Sequence, residues 1–437
     1  MSASKPLVDN DVIDINESTM KNTDTQHDKL TLICSVLTST VHNHDDGEEI
    51  TASALAGGTD QVLPRINVYD NIPFAGGDGD YSILSVLFGP HSIGGGIFGY
   101  LTMIDSNKVR LLCMECRKAV MDFPWMDDES EIKGSVEAWR AAFPVARAVN
   151  IRNRDDIVDA DFVHIRGDAR VRLHTVNMND CQSVTDAAFV HLRGIHTLNM
   201  SSCNQATITD AAFVHLRGIH TLNMFRCSQA TITDAAFVHL RGIHMLYMSW
   251  CDQATITDAA FVHLRGIHTL DMSWCNQATI TDSAFVHLRG IHTLNMSYCY
   301  QATITDAAFV HLRGIHTLKM SLCNQATITD AAFVHLCGIH TLDMSWCNQV
   351  TITDAAFVNL REIHSLDMSH CNQETITDEA IINFVNIEEL ETGGCSRDVR
   401  IAAAQILGNE YESESESEDD DEDDDEIENE DDDEDDE

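Results

Sequence analysis

Residues 219–242 read IHTLNMFRCSQATITDAAFVHLRG, and residues 243–266 repeat them as IHMLYMSWCDQATITDAAFVHLRG. The same unit continues in both directions. Cys181, Cys203, Cys227, Cys251, Cys275, Cys299, Cys323, Cys347, Cys371 and Cys395 mark its registers, 22 residues apart once and 24 apart eight times. A fixed period in the twenties identifies a solenoid, because one such unit cannot bury its own apolar face and must stack on its neighbours.

Each unit carries two periods. Ile219 opens it, and Leu222 and Met224 then alternate with Thr221 and Asn223, as in a short strand with one buried face. Ile232, Ala236, Phe237 and Leu240 fall at helical spacing. Thr233 suits an N-cap and Asp234 the first turn, where the helix dipole favours an anion. Gly242 suits the helix end. A strand and a helix in every unit predict an α/β horseshoe, with a parallel sheet on the concave face and helices on the convex face. Phe162–Gly167 reads as a worn first helix, Ile387, Leu390 and Cys395 as the last strand register, and Val399–Leu407 as a closing helix. The pattern I-x-x-L-x-M-x-x-C-x-x-x-x-I-T-D-x-x-F-x-x-L resembles the cysteine-containing leucine-rich repeat, with Met, Ile and Phe at several usual Leu positions, over roughly residues 150–408.

The copies also differ, and the differences fall in columns. Counting the opening Ile as position one, position eight reads Ser202, Arg226, Trp250, Trp274, Tyr298, Leu322, Trp346 and His370. Position five reads Asn199, Asn223, Tyr247, Asp271, Asn295, Lys319, Asp343 and Asp367, and position ten adds Asp252 and Tyr300. Strands about 4.8 Å apart turn such positions into contiguous columns on or beside the concave face. Exposed aromatic residues on such a face are the usual material of protein-binding hot spots. Trp is a poor neutral choice there, so a bound protein is preferred to drift among the copies.

The invariant columns read as scaffold. Each Cys sits where a small buried residue is needed, and tetrahedral zinc needs four convergent ligands, which a ladder does not supply. The His columns, His191 to His335 on the helices and His196 to His364 before the strands, are read as copied with the unit. A metal-binding or acid-sensing role is the weaker reading for them. No cofactor or metal is expected. Outside the columns there is no nucleophile–base pairing or phosphate loop, so the expectation is a non-enzymatic protein.

The chain has 437 residues, 27 Lys+Arg, 70 Asp+Glu and a net charge of −43. Residues 410–437 hold 22 acidic side chains and no basic one, about half of that net charge. Nucleic acid and anionic membrane are therefore disfavoured as partners, since both are bound through Lys and Arg. Ser82–Ile104 lacks charged side chains for 23 residues, but its five Gly and one Pro favour a buried segment over a membrane span. The opening MSASKPLVDNDVIDINE has no basic start before an apolar run, so an intracellular protein, of cytoplasm or nucleus, is expected.

The composition divides the chain into a mobile leader (1–68), an apolar helical region capping the array (69–148), the solenoid (149–409) and an acidic tail (410–437). Within the second, Ile97-Phe98-Gly99-Tyr100-Leu101, Asp105 and Leu112-Cys113 resemble the F-box, whose core is I-F-x-Y-L with a hydrophobic-Cys pair beyond an Asp. The resemblance implies that Ile97, Phe98, Tyr100, Leu101, Leu112 and Cys113 contact the adaptor of an SCF-type ubiquitin ligase. The concave face would then select a substrate protein through Arg226, Tyr247, Trp250, Asp271, Trp274, Tyr298, Tyr300, Lys319, Asp343, Trp346, Asp367 and His370. In the tail, Ser413, Ser415 and Ser417 each precede an acidic residue by three positions, as in acidophilic kinase sites. Repeats followed by an acidic run also resemble the acidic leucine-rich nuclear phosphoproteins, which implies as the alternative a histone or other basic protein bound by the tail.

Overall fold

The computed structural model describes Met103, Ser106 and residues 114–167, 171–382 and 384–408. The F-box-like residues Ile97, Phe98, Tyr100, Leu101, Leu112 and Cys113 lie outside the described residues, as do Ser413, Ser415 and Ser417.

Eleven strands, from Ala148–Asn150 to Glu389–Glu391, form one parallel sheet in strict chain order. The register repeats the sequence: Leu222 pairs with Leu246, and Leu246 with Leu270. Each strand has three residues, and only its middle side chain is buried in most copies. Leu222, Met224, Cys227, Ile232, Ala236, Phe237, Leu240 and Ile243 are all buried, and their equivalents continue the same core along the array. This is the strand-and-helix solenoid that the spacing predicts, and it has the leucine-rich-repeat architecture that the resemblance implies.

The helices are shorter than their apolar spacing suggests. Thr233 caps a single α turn, Asp234–Phe237, by accepting a hydrogen bond from the Ala235 N–H, and Val238–Leu240 continues as a 3-10 turn. A 3-10 turn rises about 2.0 Å per residue against 1.5 Å in an α-helix, so the tighter form covers the layer with fewer residues. Gly242, at φ 82, then reverses the chain in a conformation that side-chain-bearing residues rarely adopt.

Neighbouring units are tied by repeated polar contacts. Asp234 accepts from the Thr257 backbone N–H at 2.8 Å and from its hydroxyl at 2.7 Å. The same pair of bonds recurs at nine junctions, from Asp159–Thr185 to Asp354–Thr377. The aspartate that suits the helix dipole thus also holds the next copy. Each repeat cysteine donates its thiol hydrogen backwards, as Cys251 does to the Met224 carbonyl at 3.1 Å. Burial pushes the Cys203, Cys251, Cys299 and Cys347 thiols up to about 12. Neutral, buried and bonded to carbonyls, they act as scaffold.

Both ends of the core are covered. Helix Val136–Ala142 stands over the first unit, where Arg140 donates to the carbonyls of Phe143, Ala146, His164 and Ile165. Helix Arg397–Leu407 closes the last, burying Val399, Ala402 and Ala403. Among the described residues no helix is long and apolar enough to cross a membrane.

The Asp–Thr bonds are testable in mid-array. Asp258→Ala leaves the Thr281 N–H and hydroxyl without their acceptor, which costs about 2 kcal/mol and lowers the urea midpoint. Asp258→Asn, which keeps one acceptor oxygen, loses less. An unchanged midpoint in Asp258→Ala would rule out the aspartate as a tie between units.

Candidate functional site

The chain leaves each strand through a turn whose second residue is position eight. That residue is left-handed in every register: Arg226 has φ 59, Trp250, Trp274, Tyr298 and Trp346 have φ 61, Leu322 has φ 59 and His370 has φ 60. A left-handed backbone is uncommon outside glycine and asparagine and is strained for bulky residues. At the ends of the array the same position holds Asn153, Asp180 and Gly394, which accept it readily. Between them it holds Ser202, Arg226, Leu322 and His370 together with the aromatic Trp250, Trp274, Tyr298 and Trp346.

These side chains stack along the ends of the strands. The Trp250 and Trp274 rings lie 4.4 Å apart, Trp274 and Tyr298 3.8 Å, and Trp346 and His370 3.9 Å. The Arg226 guanidinium caps the column at 5.2 Å from the Trp250 ring, a cation–π arrangement. Leu322 fills the register between Tyr298 and Trp346. His370 lies over Gly394, where an added Cβ would collide with the His370 ring, so Gly394 is needed for space as well as for its φ of 71. Trp250 keeps 37% and Trp346 45% of its surface exposed. The column is stacked but not buried.

Position five lies on the open face of the sheet itself, where Tyr247 pairs in register with Asp271 and Lys319 with Asp343. The carboxylates bond to the position-seven serines. Asp271 accepts from the Ser273 N–H at 3.0 Å and its hydroxyl at 2.7 Å, and Asp343 accepts from the hydroxyls of Ser321 and Ser345. Asp367 accepts from the Ser369 N–H at 2.9 Å. Tyr300 stands apart from the column and is 55% exposed. Arg226, Trp250, Trp274, Tyr298, Trp346 and His370 therefore form one rim. Tyr247, Asp271, Lys319, Asp343 and Asp367 form the floor beside it.

The second column, read from the sequence as His196 to His364 and extended by His174, runs along the opposite rim. Nine imidazoles, His174, His196, His220, His244, His268, His292, His316, His340 and His364, stack with ring centres 4.3–4.6 Å apart. Burial, then repulsion from neighbouring imidazoles, lowers His220, His268 and His316 below their ordinary value. The sequence signal was present, since any ring copied at one register's spacing meets its own copy at stacking distance. On the helix layer the other His column is paired with arginine. Arg193, Arg217, Arg241, Arg265, Arg289 and Arg313 each donate Nε–H to Nδ1 of the next unit's histidine at 3.0–3.2 Å. Burial, then the adjoining guanidinium, holds His215, His239, His263 and His287 below their ordinary value. Among the described residues no group of three or more His, Cys, Asp or Glu is placed to hold a metal ion.

No protein-family model and no curated protein sequence matches the chain. Among solved structures it is similar to a chain of the glycosylated Toll–Spatzle complex of Drosophila, with a TM-score of 0.47 and 14% identity over 67% of this chain and 41% of that one. It is similar to a chain of the TLR13–ssRNA13 complex, with a TM-score of 0.42 and 16% identity over 57% of this chain and 38% of that one. It is also similar to a chain of the Rad7–Elc1 complex of yeast, with a TM-score of 0.34 and 15% identity over 58% and 76% of the two chains. The chain thus spans about two fifths of the first two.

The Arg–His pairs carry a pH dependence with a definite sign. Histidines held below their ordinary value of 6.5 in the fold give stability that is complete above pH 6.5 and lost as the pH falls through the folded value, because the unfolded chain takes up protons first. The urea midpoint therefore falls between pH 7.5 and 5.5. Replacing His215, His239, His263 and His287 by Gln flattens that fall, and an equal slope in the two proteins would refute the assignment.

Proposed function

We propose that the chain is a non-enzymatic recognition solenoid that holds a partner protein against the open face of its sheet, anchored by the aromatic rim. The observation that carries this reading is the set of aromatic residues in left-handed turns. A bulky residue there costs of the order of 1–3 kcal/mol in backbone strain. The core gains little in return, since Trp250 and Trp346 remain well exposed. Residues better suited to the turn occupy the same position at both ends of the array, so drift under packing alone would favour them in the middle too. Retained strain at exposed indoles is what selection for a bound surface leaves behind.

The finer reading is that of the substrate-recognition subunit of an SCF-type ubiquitin ligase. It is supported by the F-box resemblance of Ile97, Phe98, Tyr100, Leu101, Leu112 and Cys113. The solenoid would then contribute position and effective concentration to a reaction carried out by the rest of the assembly.

Affinity purification of the full chain beside Trp250→Ala/Trp274→Ala/Trp346→Ala and the helix-layer control Val334→Ser tests the first reading. Partners bound at the rim are lost at least about thirtyfold in the triple variant, the effect of about 2 kcal/mol at a hot spot, and are kept by the control. A partner set unaffected by the triple variant would remove the function assigned to this face. For the finer reading, Phe98→Ala/Leu101→Ala in the full chain abolishes capture of a purified cullin-ligase adaptor. Absence of capture by the unaltered chain would end it.

A further inference from the structure

The helix layer carries a feature that the sheet-face reading does not use. Seven consecutive registers place an exposed arginine at the same corner: Arg166, Arg193, Arg217, Arg241, Arg265, Arg289 and Arg313. Each is followed by a glycine with positive φ that turns the chain toward the next strand. Six of the seven are held in line by the Nε–H bond to the next unit's histidine, which leaves one or both terminal NH2 groups of each free of that bond. The carboxylates of the same layer sit at the opposite end of each helical turn, occupied by threonine. Among the described residues none of these seven arginines forms a salt bridge, unlike Arg152 and Arg154. The result is a row of exposed guanidinium groups, one per unit and none in a salt bridge, on a chain whose net charge is −43.

We propose that this stripe is the docking site of the chain's own acidic segment, residues 410–437. The charges are complementary: 22 carboxylates and no basic residue face a row that carries one cation per unit. The reach suffices. The last helix ends at Leu407 and turns at Gly408, at φ 71. Arg193 lies nine registers away, which is roughly 45 Å at a strand spacing of about 4.8 Å and more on the outer layer. An extended segment of 28 residues spans about 90 Å. The rest of the chain is net acidic, and the row is the part of the described solenoid where a cation recurs at every unit. The stripe stops short of the C-terminal end, because Cys337 replaces the arginine there and Glu362 follows Arg361, so the segment docks along the preceding units. Held in this way, the acidic segment is screened from basic proteins until one displaces it. Phosphate on Ser413, Ser415 or Ser417 would add about −1.5 to −2 charges per site and tighten the contact.

The test uses a fluorescent peptide of residues 410–437 titrated with four proteins: the full chain; the chain ended at Gly408, whose core is closed by its C-terminal helix; and that shortened chain carrying Arg217, Arg241, Arg265 and Arg289 replaced all by Gln or all by Lys. The shortened chain binds the peptide, with affinity falling steeply between about 50 and 200 mM salt as screening rises. The full chain, already occupied, binds at least tenfold more weakly. The Gln variant also binds at least tenfold more weakly, whereas the Lys variant stays within threefold, separating loss of charge from loss of fold. No binding by the shortened chain, equal binding by the full chain, or an unaffected Gln variant would overturn the proposal. Heparin captured by the shortened chain where the peptide is not would reassign the stripe to an external polyanion.

Discussion

Parallel strands lie about 4.8 Å apart, and that spacing governs every other choice in this molecule. In a solenoid of copied units a residue is placed beside its own copy, so each column must be compatible with itself. Apolar columns satisfy this at once. Polar and charged columns do not: the histidines before the strands stack on their own copies, and three other columns are resolved by offsetting the contact one register. Aspartate meets threonine of the next unit, arginine meets histidine of the next unit, and the cysteine thiols from Cys203 onward meet a methionine carbonyl of the unit before. A column of aspartates facing aspartates would repel at every step. The same residues in alternation with a partner become the ties that transmit order along the array.

The variable columns are where this rule is relaxed. Position five brings Asp343 beside Asp367 and Asp367 beside Glu391, three carboxylates in consecutive registers. The serine bonds to Asp343 and Asp367 spread part of that charge. Position eight goes further, with large rings on left-handed backbone. The rim recovers some energy by stacking, about 0.5–1.5 kcal/mol per aromatic pair beyond burial. That is comparable with the strain, which lets the rim persist without stabilising the fold.

Much of this was legible in the sequence. Period and apolar spacing place Leu222, Met224, Phe237 and Leu240 in the core, Thr233 at a cap and Gly242 at a reversal, and the structure has them there. What escaped was whatever depends on the offset between units. Nothing local marks Asp234 as the acceptor for Thr257, since the two are 23 residues apart. The pairing of Arg241 with His263 is hidden for the same reason, because a column reads as identical residues while the bond joins different columns. The single α turn was also missed. Apolar spacing reports which side chains face inward, and a 3-10 turn directs Leu240 inward as an α-helix does.

Near-identical units raise a further difficulty: sliding the chain by 24 residues exchanges one copy for another at almost no cost in local contacts. Local propensity cannot select among such registers. The ends can. Arg140 reaches the His164 and Ile165 carbonyls of the first unit alone, and the seat of His370 on Gly394 exists only at the last. Between them the unlike residues, such as Phe225 under Arg226 and the stacked pair Trp274 and Tyr298, add contacts that one alignment alone provides. The variation that equips the rim to bind a partner therefore also gives an otherwise degenerate array a single preferred alignment, so recognition and folding specificity draw on the same few side chains.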